Sequence, residues 1–132
     1  MKLKASPLEG SEFEGGRTDI VEFSFGPSGL RIVVSFLDEK SDLYQEILFP
    51  DVRGFRSLDE GDLLPYWESG EFSNRRHSVF EITSGGWIEQ ELQTPGMLTT
   101  TNAVGWYREW FVVSIDQCVN VIAKNQPLIR RL

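Results

Sequence analysis

Two runs of alternating residues joined by four turn formers constrain this chain more than anything else in it. Val21, Phe23 and Phe25 alternate with Glu22 and Ser24, and Leu30, Ile32, Val34 and Phe36 alternate with Arg31, Val33 and Ser35. A period of two places one set of side chains on each face of an extended strand. Gly26-Pro27-Ser28-Gly29 between the runs reads as a turn, so residues 19–36 are expected to form a β-hairpin.

Similar signals continue to the end. Residues 38–42 form a charged turn, residues 43–49 a strand ended by Pro50, and residues 52–56 a short extended piece. Ser57-Leu58-Asp59-Glu60 has the form of a capping box, which predicts one or two helical turns between Leu58 and Glu68, with Pro65 in a first turn. After a loop at 70–77, residues 78–83 read as a strand, Ser84-Gly85-Gly86 as a tight turn and residues 87–93 as the returning strand. Residues 94–105, with Pro95, Gly96 and three successive threonines, read as an unstructured connection of the kind that is usually mobile or functional. Residues 106–115 are the longest alternating run. Asp116-Gln117 then turns the chain into a strand at 118–123, and residues 127–132 end it as an extended tail or a single helical turn. Residues 1–18, broken by Pro7, Gly10, Gly15 and Gly16, read as a loosely ordered lead-in. The expected fold is therefore a single domain over 1–132, α+β but mostly β. It would be a curved or barrel-like antiparallel meander of about seven strands with one short helix.

Composition narrows the function. The 132 residues, 40% hydrophobic and 25% charged, are globular in character and long enough to bury a core without a staple. Cys118 is the only cysteine, so no internal disulfide can form. The first ten residues lack the apolar stretch of a signal peptide, and no run reaches the length of a membrane-spanning helix. A cytoplasmic protein with no membrane contact is expected. The net charge of −7 opposes generic nucleic-acid binding, which needs a basic surface. Most of that charge is concentrated: between Asp38 and Glu68 nine acidic residues face three basic ones, a local balance of −6.

Catalytic patterns are sparse. His77 is the only histidine, placed in a basic loop and read as solvated, and Cys118 lies in a predicted core strand. One histidine and one cysteine do not build a zinc site, and neither a calcium loop nor a phosphate-binding loop occurs. No metal or cofactor is expected. Glu89 and Glu91 lie two apart on one predicted strand face, with Glu81 opposite across the Gly85-Gly86 turn, a grouping that could raise a carboxyl pKa for acid–base work. Among Trp67, Trp87, Trp106 and Trp110, the last two share a predicted strand face with Arg108; they would make a stacking platform if that face were exposed, but core filling is the favoured reading because aromatics dominate sheet packing.

From Leu43 onward the order of features is Arg53-x-Phe55-Arg56-x-Leu58-Asp59-Glu60-Gly61-Asp62-Leu63-Leu64-x-Tyr66-Trp67, then Gly85-Gly86-Trp87, then Cys118-Val119-x-Val121-Ile122 and Pro127. This resembles small uncharacterised bacterial proteins found among the toxin-neutralising immunity proteins of polymorphic-toxin loci. The resemblance implies a non-enzymatic protein that covers a toxin. On that reading Asp38, Glu39, Asp42, Asp51, Asp59, Glu60 and Asp62 form an acidic surface for a basic partner. The alternative is a small-ligand-binding or hydrolytic β-barrel using Glu81, Glu89, Glu91 and the tryptophans. A homodimer is compatible with either.

Overall fold

A computed structural model describes residues 2–37, 43–73 and 76–132. The strands, in chain order, are β1 (Lys4–Pro7), β2 (Thr18–Gly26), β3 (Gly29–Phe36), β4 (Tyr44–Phe49), β5 (Val52–Asp59), β6 (Val79–Ser84), β7 (Arg108–Val112), β8 (Gln117–Ala123) and β9 (Leu128–Arg131). A 3₁₀ turn (Glu60–Asp62) and three short helices, α1 (Leu64–Glu68), α2 (Trp87–Leu92) and α3 (Thr99–Val104), complete the chain. Strand takes 48% and helix 16%, so the fold is α+β and mostly β.

The strands form two antiparallel sheets, one ordered β1-β6-β7-β8-β5 and the other β2-β3-β4-β9. The expected meander survives in two places, β2-β3-β4 and β6-β7-β8, where consecutive strands pair. The barrel does not form. Each sheet keeps two outer strands, because β1, β5 and β9 join neighbours distant in sequence.

Packing explains the arrangement. Leu30, Ile32, Val34, Ile47 and Phe49 from the four-stranded sheet meet Val79, Trp110, Val112, Val119 and Val121 from the five-stranded sheet in one buried cluster. The opposite face of the five-stranded sheet carries Phe80, Ile82, Phe111, Val113 and Cys118, which pack under Leu3, Leu63, Tyr66 and Phe72. The five-stranded sheet is thus covered on both sides. This accounts for the unbroken apolar stretches of β7 and β8, whose residues are buried whichever way they point.

Several expectations are corrected. The 1–18 lead-in contains β1, paired to β6, and Ser11, Phe13 and Thr18 within it are buried. Strand β5 runs through Ser57 and Leu58, so the capping box does not form; Asp59 caps the 3₁₀ turn instead, its Oδ1 accepting from Gly61 N at 2.8 Å. Residues 87–93 are no strand but helix α2, and the second hairpin is replaced by pairing of β6 with β1 and β7. Residues 94–105 hold helix α3, whose buried Thr101 accepts from Arg53 Nε at 3.3 Å. The tail forms β9 on β4. The charged turn expected at 38–42 lies outside the described residues.

The first hairpin forms as read, with Phe23 opposite Ile32 and Phe25 opposite Leu30. Its outer strand is less covered than the alternation implied. Phe23 and Phe25 remain 40% and 59% exposed and close edge-on around Phe55 of β5, at centroid distances of 5.4 and 5.0 Å.

Candidate functional site

The acidic residues separate into groups. Asp38, Glu39 and Asp42 lie outside the described residues. Asp51 precedes β5 and Asp59 ends it, which puts roughly 25 Å of extended chain between them. Asp51 therefore does not join the others. At the far end of β5, Glu60 N donates to Asp116 O at 2.7 Å, and Ile115 N donates to Thr18 O at 2.9 Å. Those bonds gather Asp59, Glu60, Asp62 and Asp116 at one end of the two sheets, beside Asp19. In the sequence Asp116 reads only as a turn residue. Among the described residues none of these side chains has an ion-pair partner.

Glu46 leaves the acidic count for a different reason. On the outer face of the four-stranded sheet it accepts from Arg31 Nε at 2.6 Å and from Arg130 Nε at 2.9 Å. Those two arginines hold its carboxyl below the usual carboxylate range, Arg31 most strongly. A carboxylate whose pKa is lower folded than unfolded stabilises above the unfolded value, and the contribution drains away as pH falls. Glu46→Gln is expected to cost about 0.5–1 kcal/mol at pH 7, the scale of a surface ion-pair network. The gap from wild type should close between roughly pH 5 and pH 3, around the usual glutamate pKa. Urea unfolding at several pH values measures this, and a gap independent of pH would show that the arginines do not act through charge.

The carboxylates of the alternative reading do come near one another, though not across a hairpin. Glu81 on β6 and Glu89 on α2 line a cavity of about 300 Å³ together with Tyr107, Arg108 and Glu109. Glu91 does not line it. The acceptors there are already engaged. Glu81 takes both arms of Arg108, at 2.7 and 2.9 Å, and Glu89 accepts from Gly85 N.

Glu109, missed from the sequence, is the most buried acid in this group. Its Oε1 accepts from Ile88 N at 2.9 Å, and its Oε2 accepts from Trp87 N at 2.9 Å and Asn120 Nδ2 at 3.0 Å. Asn120 also donates to Tyr66 Oη and accepts from Arg56 Nε, both at 3.0 Å. Gly86 makes this approach feasible, since a Cβ there would sit 2.6 Å from the Glu109 carboxylate. Burial pushes the Glu109 carboxyl up, against the lowering pull of the Ile88 and Trp87 amides, Asn120 and Arg56. Burial, with Glu109 nearby, likewise pushes the Tyr66 phenol up. The carboxylate serves as the cap of α2, satisfying amides that no local side chain reaches.

The tryptophans divide. Trp110 is fully buried between the sheets, while Trp106 is 60% exposed with Lys124 Nζ 4.4 Å from a ring centroid. Trp110 thus fills the core, as strand aromatics usually do, and forms no exposed platform with Trp106, although Arg108 lies over its ring at 4.5 Å. Trp67 donates from Nε1 to Glu60 O at 2.8 Å, and Arg56 lies over Trp87 at 5.3 Å. Cys118 is buried, as its strand implied. His77 is half-buried rather than solvated, its Nε2 3.8 Å from Glu12 Oε1 across an isolated bridge.

Among the described residues no group of three His, Cys, Asp or Glu is placed to hold a metal, and no helix is long and apolar enough to cross a membrane. Comparison with family models, curated proteins and solved structures finds no match to this chain.

Proposed function

We propose that this chain is a non-catalytic binding protein of the immunity type that its sequence resembles, acting in the cytoplasm by covering a basic partner such as a toxin. The observation that carries the reading is the acidic end, where the backbone brings Asp59, Glu60, Asp62 and Asp116 together and none of their side chains has an ion-pair partner among the described residues. Acidic side chains collected at one end of the fold steer a basic surface toward it. The hydrolytic alternative is less supported, because Glu81, Glu89 and Glu109 are committed to Arg108, Gly85 and the α2 amides.

The test uses the partner recovered by affinity from the protein's own cells, with association rates measured against ionic strength. Asp59 should be left in place, because it caps the 3₁₀ turn. Glu60→Gln, Asp62→Lys and Asp116→Lys together are expected to slow association about tenfold at low salt and to flatten the salt dependence, with dissociation little changed. Unchanged rates and slope would move the interface away from this end.

A further inference from the structure

Strands β2 and β5 are the outer strands of their respective sheets, and Phe23, Phe25 and Phe55 draw the two edges together. The seam between them is open. Val21 is 50% exposed, Phe23 40% and Phe25 59%, all on one nine-residue strand. Its outer edge is engaged at its start, where Thr18 O accepts from Ile115 N and Ile20 N donates to Ser114 Oγ, and from Val21 onward pairs with no strand among the described residues. Outer strands are usually blunted by charged side chains, proline, a bulge or brevity. Strand β2 carries Asp19, Glu22 and a bulge between Ile20 and Glu22 in its first half, while residues 23–26 have none of these, and it is the longest strand of the fold among the described residues.

The seam has a charged end. Strand β2 starts at Thr18-Asp19, where Thr18 O accepts from Ile115 N, and β5 finishes at Asp59. From one end to the other the edge therefore runs from Asp19, Asp59, Glu60, Asp62 and Asp116 to the phenylalanines.

We propose that the seam receives an extended segment of the partner protein, whose N-terminal half adds antiparallel to residues 21–26 of β2 and presents apolar side chains to Phe23, Phe25 and Phe55. Its C-terminal half, leaving the β2 edge where Ser114 and Ile115 occupy it, would present lysine or arginine to the acidic end. The antiparallel direction follows the rest of the sheet, in which every pair is antiparallel. Main-chain hydrogen bonds along β2 supply affinity, and alternate side chains supply specificity. Charge decides the occupant. A second copy would bring the same acids and another −7 to this edge, whereas a segment with a basic end neutralises them. The inference rests on the acidic-end reading and assigns it a chemistry of partner.

The probe is a short synthetic peptide with valine and threonine alternating in its first half and valine and lysine in its second. Controls carry glutamate in place of lysine, or threonine in place of lysine. Binding is read by anisotropy, and location by amide hydrogen exchange. Wild type is expected to bind the lysine peptide with protection of amides in β2, and not the glutamate peptide. Phe23→Ser with Phe25→Ser, changes at exposed positions, should weaken binding at least tenfold, as expected for aromatic anchors, with thermal unfolding of the free variant as the folding control. Equal binding by wild type and the double variant, protection in β1 or β9 instead, or no binding at about 1 mM peptide would overturn the inference. So would a dimer of the free protein with β2 already protected. Equal binding of the threonine and lysine peptides, with phenylalanine dependence kept, would instead sink the acidic-end reading.

Discussion

Trp110→Ala is expected to lower stability by about 3–5 kcal/mol, the cost of emptying a large aromatic site in a packed core. Trp110 is fully buried, lies in the cluster that joins the two sheets, and donates from Nε1 to Ala123 O at 3.3 Å. Few groups can move into the space, because Val79, Val112 and Val121 are held by ladders in the sheet. The midpoint of thermal unfolding should fall by about 10 °C or more in a chain of this size. Trp110→Phe keeps most of the volume and loses the donor, so it should fall between wild type and alanine. Trp106→Ala should cost no more than about 1 kcal/mol, since it removes an exposed ring and one contact with Lys124. Similar losses at positions 106 and 110 would contradict the burial of Trp110 and the exposure of Trp106.

Glu109→Ala should be nearly as damaging, at about 3 kcal/mol, because it strands one buried and two half-buried donors at once. Trp87 N, Ile88 N and Asn120 Nδ2 all point at this carboxylate. Helix α2 has no side-chain cap of its own, so its first turn should loosen before the sheets separate. Hydrogen exchange at residues 87–92, together with the urea midpoint, reads both effects. A loss below about 1 kcal/mol would mean that water replaces the carboxylate as acceptor, and the cap would then count for little. Glu81→Gln offers a contrast, since Glu81 meets Arg108 near the surface, where an ion pair contributes at most about 1 kcal/mol.

These two positions show where local pattern reaches and where it stops. The β2-β3 hairpin, β4 and β8 were legible because alternation is a property of neighbouring residues, and the Gly26-Pro27-Ser28-Gly29 turn has no other ready use. Residues 87–93 misled for the same reason. Gly85-Gly86 followed by an apolar residue invites a hairpin, although Ile88 and Leu92 lie four apart and Glu and Gln between them favour helix. The contest between the two was settled by Glu109, which is 22 residues from Trp87 and whose carboxylate closes the helix start.

Strand period assigns residues to two faces but says nothing of what lies over each face. Trp106 and Trp110 had equal standing until the four-stranded sheet covered one and left the other in solvent. Phe23 and Phe25 carry the alternation of a core strand, yet β2 is an outer strand and Phe55 covers them only in part. The acidic end is of the same kind. Charge density along the chain grouped Asp51 with Asp59, and the extension of β5 parted them, while one backbone bond from Glu60 to Asp116 brought in a residue that the sequence had placed elsewhere. Periodicity and turn chemistry are encoded within a few residues and survive reading in one dimension. Burial and the meeting of charges depend on pairs of residues distant in sequence, and only the stacking of the two sheets decides those pairs.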